Sequence, residues 1–174
     1  IEETPEGPVF RTQADVRSTD EETFPTDYFT NKAIEFINQQ KEHLFCCMLC
    51  FPDPHSANLV RPPYDTMYNQ IKFKEPVTVL ADTTGRPAWS HGNNLPADQP
   101  EDMAQYFGMI KCIDDNVGRI MKTLQDADIL SNTIIIFTSD HGDMCRQHGL
   151  INKGVPLDDS ARIPFIISYP TGMR

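Results

Sequence analysis

The sequence predicts an α/β fold with a mostly parallel sheet flanked by helices. Three observations carry this expectation. Residues 44–51 and 134–137 are uninterrupted apolar runs, the pattern of strands buried on both faces, and 163–168 is a third, largely apolar strand. A long segment of helical period lies between the first two runs. Each of those two runs ends abruptly in polar, chemistry-bearing residues, where an open α/β sheet presents its ligands.

The 174 residues suit one domain or a large piece of one. A chain of that length can bury about 70% of its unfolded surface. The net charge of −10 comes without any Lys/Arg cluster, which argues against a nucleic-acid binder. An anionic substrate would need local cations or a metal to overcome the long-range repulsion. No apolar run reaches the ~18 residues of a membrane span. No signal peptide is visible, and the chain opens on Ile1 in place of Met, which predicts a processed or excised chain. The five cysteines show no framework spacing. Cys46, Cys47 and Cys50 are expected to be small buried hydrophobes on a strand.

Taken in order, residues 1–25 are acidic and proline-containing, with no sustained period, and are expected to be irregular. A helix should start at Thr26 or Asp27, either of which can cap it. Phe29, Ala33, Ile34, Phe36 and Ile37 give it an apolar face to about Gln40. The strand at 44–51 should be central, and Pro52 and Pro54 end it. His55 lies just past that end. Residues 61–68 form a rigid turn carrying Tyr64 and Tyr68. Residues 69–98 read as a long loop with one short strand at 77–80, and loops of this length are usually functional or disordered. Trp89 and His91 would line a substrate entrance, or Trp89 would pin the loop to the body.

Asp98, Pro100 and Glu101 mark a helix start. Met103, Phe107, Ile110, Ile113, Val117, Ile120, Met121 and Leu124 make this the longest helix, with Asp114 and Asp115 on its solvated side. The helix breaks at 126–128, and Asn132 starts the core strand. Past its end come Asp140 and His141, both metal-ligand types, with Gly142 permitting a sharp turn. Lys153 lies a short loop further on and supplies a fixed positive charge. If the strand at 44–51 runs parallel to that at 134–137, then His55, Asp140 and His141 occupy one sheet edge. Residues 157–162 are expected to form one helical turn before the strand at 163–168.

Thr138-Ser139-Asp140-His141-Gly142-Asp143, His148-Gly149-Leu150, Lys153-Gly154 and Ser160-Ala161-Arg162-Ile163-Pro164 resemble the metal-binding segment of the sulfatases, in the alkaline-phosphatase-like superfamily. The resemblance extends upstream through Asp27-Tyr28, Asp53-Pro54-His55, Pro63-Tyr64-Asp65 and Asp114-Asp115-Asn116-Val117-Gly118-Arg119. It covers most of residues 26–170. It implies that residues 1–174 are part of a sulfatase catalytic domain hydrolysing sulfate esters of a small molecule or glycan. Asp140 and His141 would be ligands of a divalent cation, usually calcium in this family. An imidazole is an unusual ligand for a hard cation, so Mg2+, Mn2+ and Zn2+ stay open. Lys153 would contact the sulfate oxygens and His55 would protonate the leaving oxygen, with His148 and Arg162 on the substrate side. The family also implies a secreted or periplasmic location.

The chain departs from that pattern in three places. Cys145-Arg146-Gln147 stands where the family often has small or acidic residues. The paired N-terminal aspartates of the metal site have no counterpart. No Cys- or Ser-x-Pro-x-Arg occurs, so the formylglycine nucleophile that the resemblance implies is absent. The chain therefore reads as the middle of a sulfatase, inactive alone and exposing apolar surface through which it would self-associate. A phosphodiester or phosphonate monoester hydrolase of the same superfamily is the first alternative. A non-catalytic binding module of the same fold is the second.

Overall fold

The computed structural model describes residues 2–4, 7–9, 16, 18–79, 84–85, 87–88 and 100–171. Leu80, Trp89, His91, Asp98 and the helix cap expected there lie outside the described residues. The chain divides into two compact units. The first comprises Ile1–Ile71, Glu101–Thr133 and Pro170–Arg174, and the second Lys72–Pro100 and Ile134–Tyr169.

In the first unit, β1 (Glu2–Thr4) pairs antiparallel with β2 (Gly7–Val9), so part of the segment expected to be irregular is a small hairpin. Asp20 then closes a turn. Its Oδ1 accepts the amides of Glu22 and Thr23, each at 3.0 Å, which delivers Phe24 into the core. Helix α1 (Pro25–Gln40) follows, with Pro at its first position, where the missing N–H costs nothing. Neither Thr26 nor Asp27 caps it, contrary to expectation. Both lie inside the first turn and are buried, because their side chains are committed elsewhere in the unit.

Helix α2 (Pro100–Asp126) is the longest element, as its period predicts. The face it buries is rotated from the one expected. Ala104, Met109, Cys112, Ile113, Asn116 and Leu124 are buried, while Phe107 and Ile110 are exposed. Small residues decide this. A Cβ on Gly108 would fall 2.5 Å from the carbonyl oxygen of Tyr64 and 2.9 Å from a Val60 methyl, so the backbones meet here in direct contact. Phe24, Val60, Tyr64, Met109 and Cys112 form the resulting core.

That core surrounds a buried polar node. Asp27 accepts from Arg61 Nε at 2.7 Å, Arg61 Nη2 at 2.9 Å and Asn116 Nδ2 at 3.0 Å. Asp27 and Arg61 side chains are 1% and 5% exposed, so the charges are desolvated but fully paired. The Arg61 guanidinium also lies over the Tyr64 ring at 5.1 Å, and the Tyr64 hydroxyl donates to Asp115 at 2.9 Å. Asp114 pairs with Lys111 at the surface.

Residues 44–51 do not form the expected central strand. Among the described residues no strand pairs with them, and Leu44 and Met48 are 102% and 88% exposed. Cys46, Cys47 and Cys50 are likewise exposed, not buried. An apolar run becomes a strand only where a neighbour completes its backbone hydrogen bonds. Here Phe45 packs edge-on against Phe36 of α1, with ring centroids 5.7 Å apart.

In the second unit, β3 (Ile135–Thr138) pairs with β4 (Phe165–Ser168). The register runs from Ile135 opposite Ser168 to Thr138 opposite Phe165, which is antiparallel where a parallel sheet was expected. The first of these strands was also expected to be buried on both faces, yet Ile136 is exposed, as are Phe165 and Ile166 of β4. A two-stranded ribbon has no further layer to cover it. The sequence at 77–79 is a turn, closed by Val79 N–H to Pro76 O at 3.0 Å, and not the expected strand. The core strand begins at Ile135 because Leu130–Asn132 forms a 3-10 turn. Helix α3 (Asp158–Ala161) is the expected single turn. Among the described residues no helix is long and apolar enough to cross a membrane.

Candidate functional site

The loop leaving β3 carries Asp140 and His141. The amide of His141 donates to Asp140 Oδ1 at 2.9 Å, and the Ser139 hydroxyl donates to the His141 carbonyl at 2.8 Å. These contacts turn the chain immediately after the strand. The His141 ring lies with Nδ1 2.7 Å from the Gly142 carbonyl, which can only accept, so Nδ1 carries a proton. Nε2 is left for a ligand, 3.4 Å from Asp140 Oδ2. The Asp140 side chain is 83% exposed. Its slight desolvation would raise its pKa, but the His141 amide, the nearby imidazole and the Ser139 hydroxyl outweigh this and hold it below the usual carboxylate range.

Gly142 is required where it stands. A Cβ there would lie 2.1 Å from the Asp159 carbonyl oxygen and 2.8 Å from that of Arg162. The close approach lets Gly142 N–H donate to the Ser160 carbonyl at 2.9 Å. The buried Ser160 hydroxyl accepts the Gly154 N–H at 3.2 Å. One serine on α3 thus ties down the residue after His141 and the residue after Lys153. Sequence reasoning noticed Ser160 only as part of a motif, since nothing in a side-chain pattern reports which backbone amides it will meet.

His148 sits in a 3-10 turn at Gln147–Gly149 with φ of 56°. Cys145 and Arg146 before it also have positive φ, 41° and 71°, so this short stretch is backbone that L-residues avoid. Contacts from residues 75–78 hold it. Thr78 donates to Gln147 Oε1 at 2.5 Å and accepts the His148 amide at 3.0 Å, while Arg146 Nε meets Glu75 at 3.1 Å. Lys153 is half-buried and Arg162 is exposed. Asp140, His141, His148, Lys153 and Arg162 therefore all belong to the second unit, within the loops joining β3 to β4.

His55 belongs to the first unit. Its amide donates to the Pro52 carbonyl at 3.2 Å, and its Nδ1 lies 2.6 Å from the Ser56 carbonyl. That carbonyl again fixes the proton on Nδ1 and leaves Nε2 for chemistry. The side chain is exposed. Two residues earlier, Asp53 Oδ2 accepts from Thr26 Oγ1. Burial pushes the Asp53 carboxyl up to about 6; the Thr26 hydrogen bond opposes this and the Asp27 charge adds to it.

The donor set at Asp140 and His141 suits part of a divalent-cation site. One carboxylate oxygen and one bare imidazole nitrogen stand at the separation of two neighbouring ligands, and a backbone carbonyl fixes the imidazole's tautomer. No group of three or more candidate ligands occurs among the described residues.

A family model described as Sulfatase matches residues 8–174. The chain belongs to the sulfatase family. An arylsulfatase of Clostridium perfringens is 31% identical over 163 residues, 87% of this chain and 33% of that protein. An N-acetylglucosamine-6-O-sulfatase of Bacteroides thetaiotaomicron is 24% identical over 221 residues, 88% of this chain and 39% of that protein. Among solved structures, a phosphonate monoester hydrolase of Agrobacterium radiobacter superposes with a TM-score of 0.72 at 25% identity, over 88% of this chain and 34% of that one. A further structure, solved with its substrate D-glucosamine-2-N,6-O-disulfate, has a TM-score of 0.77 at 22% identity, over 87% of this chain and 44% of that one, and speaks to the fold alone. This sulfatase-family chain spans about a third of the length of the first curated relatives that it matches. Its α/β architecture is that of the alkaline-phosphatase-like proteins.

Proposed function

We propose that this chain forms part of the catalytic domain of a hydrolase of sulfate esters. The observation that carries the reading is the Asp140–His141 pair, an exposed carboxylate beside an imidazole whose Nε2 is free to ligate. In this reading Asp140 and His141 hold a divalent cation, most readily calcium, together with ligands from outside the described residues. When bound, the cation supplies positive charge to the ester's sulfate oxygens. Lys153 adds a second positive charge against the same oxygens, and Ser160 steadies it through Gly154. Protonated His55 donates from Nε2 to the departing ester oxygen. His148 and Arg162 contact the substrate on the same side as Lys153. The formylglycine nucleophile comes from sequence outside these 174 residues, since no Cys- or Ser-x-Pro-x-Arg occurs among them.

The N-acetylglucosamine-6-O-sulfatase among the relatives makes a sulfated sugar the first substrate class to try. The test has two parts. The 174-residue chain alone should give negligible turnover of aryl sulfates with added Ca2+ and should bind Ca2+ only weakly. The full-length protein should turn over aryl or sugar sulfates and lose at least about a hundredfold on Asp140→Ala. Full activity of that variant would sink the assignment. The likeness to a phosphonate monoester hydrolase supports a second reading, phosphonate ester hydrolysis. A higher kcat/KM on a phenyl phosphonate ester than on the matching sulfate would favour it.

A further inference from the structure

We infer that Thr26 and Asp53 form a latch that positions the His55 loop, an inference that rests on the reading of His55 as the proton donor. Within the loop at 52–55 the His55 amide donates to the Pro52 carbonyl, a contact that sets a turn but not its place in the unit. The Thr26 hydroxyl reaches across from α1 and donates to Asp53 Oδ2 at 2.5 Å. Thr26 is fully buried. It lies one residue before Asp27, which Arg61 and Asn116 lock into the core. Rigidity therefore passes from the buried node, through the first turn of α1, to the residue two before His55.

The chemistry of Asp53 argues that its job is positional. The charged group that acts on it is Asp27 on α1, with the neutral Cys112 thiol of α2 nearby, while the Arg61 guanidinium is occupied by Asp27. A carboxyl placed there, near a second carboxylate and away from water, stabilises the fold less than an apolar side chain would. Its raised pKa, about 6, records the same discomfort. What it offers in return is an acceptor for Thr26. A general acid needs its donor atom held to within a fraction of an ångström, and a loop fixed at one remove supplies that.

The latch can be read directly by amide hydrogen exchange. In the 174-residue chain, Thr26→Val should speed exchange of the His55 amide by about tenfold, the value of one buried hydrogen bond. Amides in the middle of α2 should change by less than about twofold. Thr26→Ser should restore wild-type exchange. Asp53→Asn keeps an acceptor, so it should keep the protection. If Thr26→Val leaves His55 exchange unchanged, or speeds α2 equally, the latch is refuted. In the full-length protein Thr26→Val should lower kcat by about tenfold with KM unchanged. Should His55→Ala leave turnover intact there, the proton-donor reading falls, while the exchange result still decides the latch.

Discussion

Asp27 and Asp140 are the same residue in opposite situations. Asp27 is 1% exposed, its carboxylate filled by Arg61 and Asn116. Asp140 is 83% exposed, and among the described residues its side chain faces an imidazole and a hydroxyl but no fixed cation. A carboxylate whose hydrogen bonds are complete has no capacity left for a ligand and serves the fold. One with vacant lone pairs beside a bare ring nitrogen keeps capacity for a ligand. Sequence alone marks both as parts of a family motif. Their partners sort them.

Breaking each carboxylate tests that contrast, and the buried node gives the largest effect. Asp27→Ala leaves the Arg61 guanidinium desolvated without its partner, and should cost about 3–5 kcal/mol of stability in urea unfolding. Asp140→Ala should move the same unfolding curve by no more than about 0.5 kcal/mol. Comparable losses at both sites would mean that Asp140 is structural after all.

Glycines sharpen the comparison at the next level. Gly142→Ala drives a methyl to 2.1 Å from the Asp159 carbonyl, a backbone atom with nowhere to go, and should cost on the order of 2–3 kcal/mol. Gly118, inside α2, has nothing within 4 Å of where a Cβ would sit, so Gly118→Ala should gain about 0.5–1 kcal/mol through helix propensity. Thermal melts of the two variants should therefore shift in opposite directions.

The pH dependence of stability isolates a third carboxyl. Asp53 has its folded pKa raised from 3.8 to about 6. A raised carboxyl means that the folded state binds the proton more tightly than the unfolded state. Its contribution is fully present below about pH 4 and is lost as pH rises through 6. Across that window the wild type should lose on the order of 1–3 kcal/mol that Asp53→Asn does not lose. Parallel stability curves for the two proteins between pH 4 and 7 would refute this.

Much of this was legible in the chain and some was not, for physical reasons. Helix α2 announces itself through Pro100 and a sustained period, yet its buried face was misjudged. Hydrophobic periodicity weights Phe107 and Ile110, whereas close packing weights the absent side chain of Gly108 and the small Ala104 and Cys112. The run at 44–51 signals a demand for burial without naming what meets it, so its strand did not follow. The pairing of β3 with β4 and its antiparallel sense depend on how 139–164 folds back, and no local rule encodes that. Asp140 and His141 stood out because a polar switch at a strand end is a local signal. The Asp53–Thr26 and Ser160–Gly154 contacts did not, because each depends on tertiary approach.

The smallest expected effect lies at Ser160, where fold and candidate site meet. Its hydroxyl accepts the Gly154 amide at 3.2 Å, and its backbone carbonyl accepts that of Gly142. Ser160→Ala removes the first contact and keeps the second. The loss should be about 1 kcal/mol, the usual worth of one hydrogen bond. Its distribution is more telling than its size. Exchange at the Gly154 amide should accelerate, while the Gly142 amide and the β3–β4 ladder stay protected, because their acceptors are main-chain oxygens that the substitution leaves in place. Uniform acceleration across all three would mean that Ser160 is packing for the whole unit, and that Lys153 owes nothing particular to it.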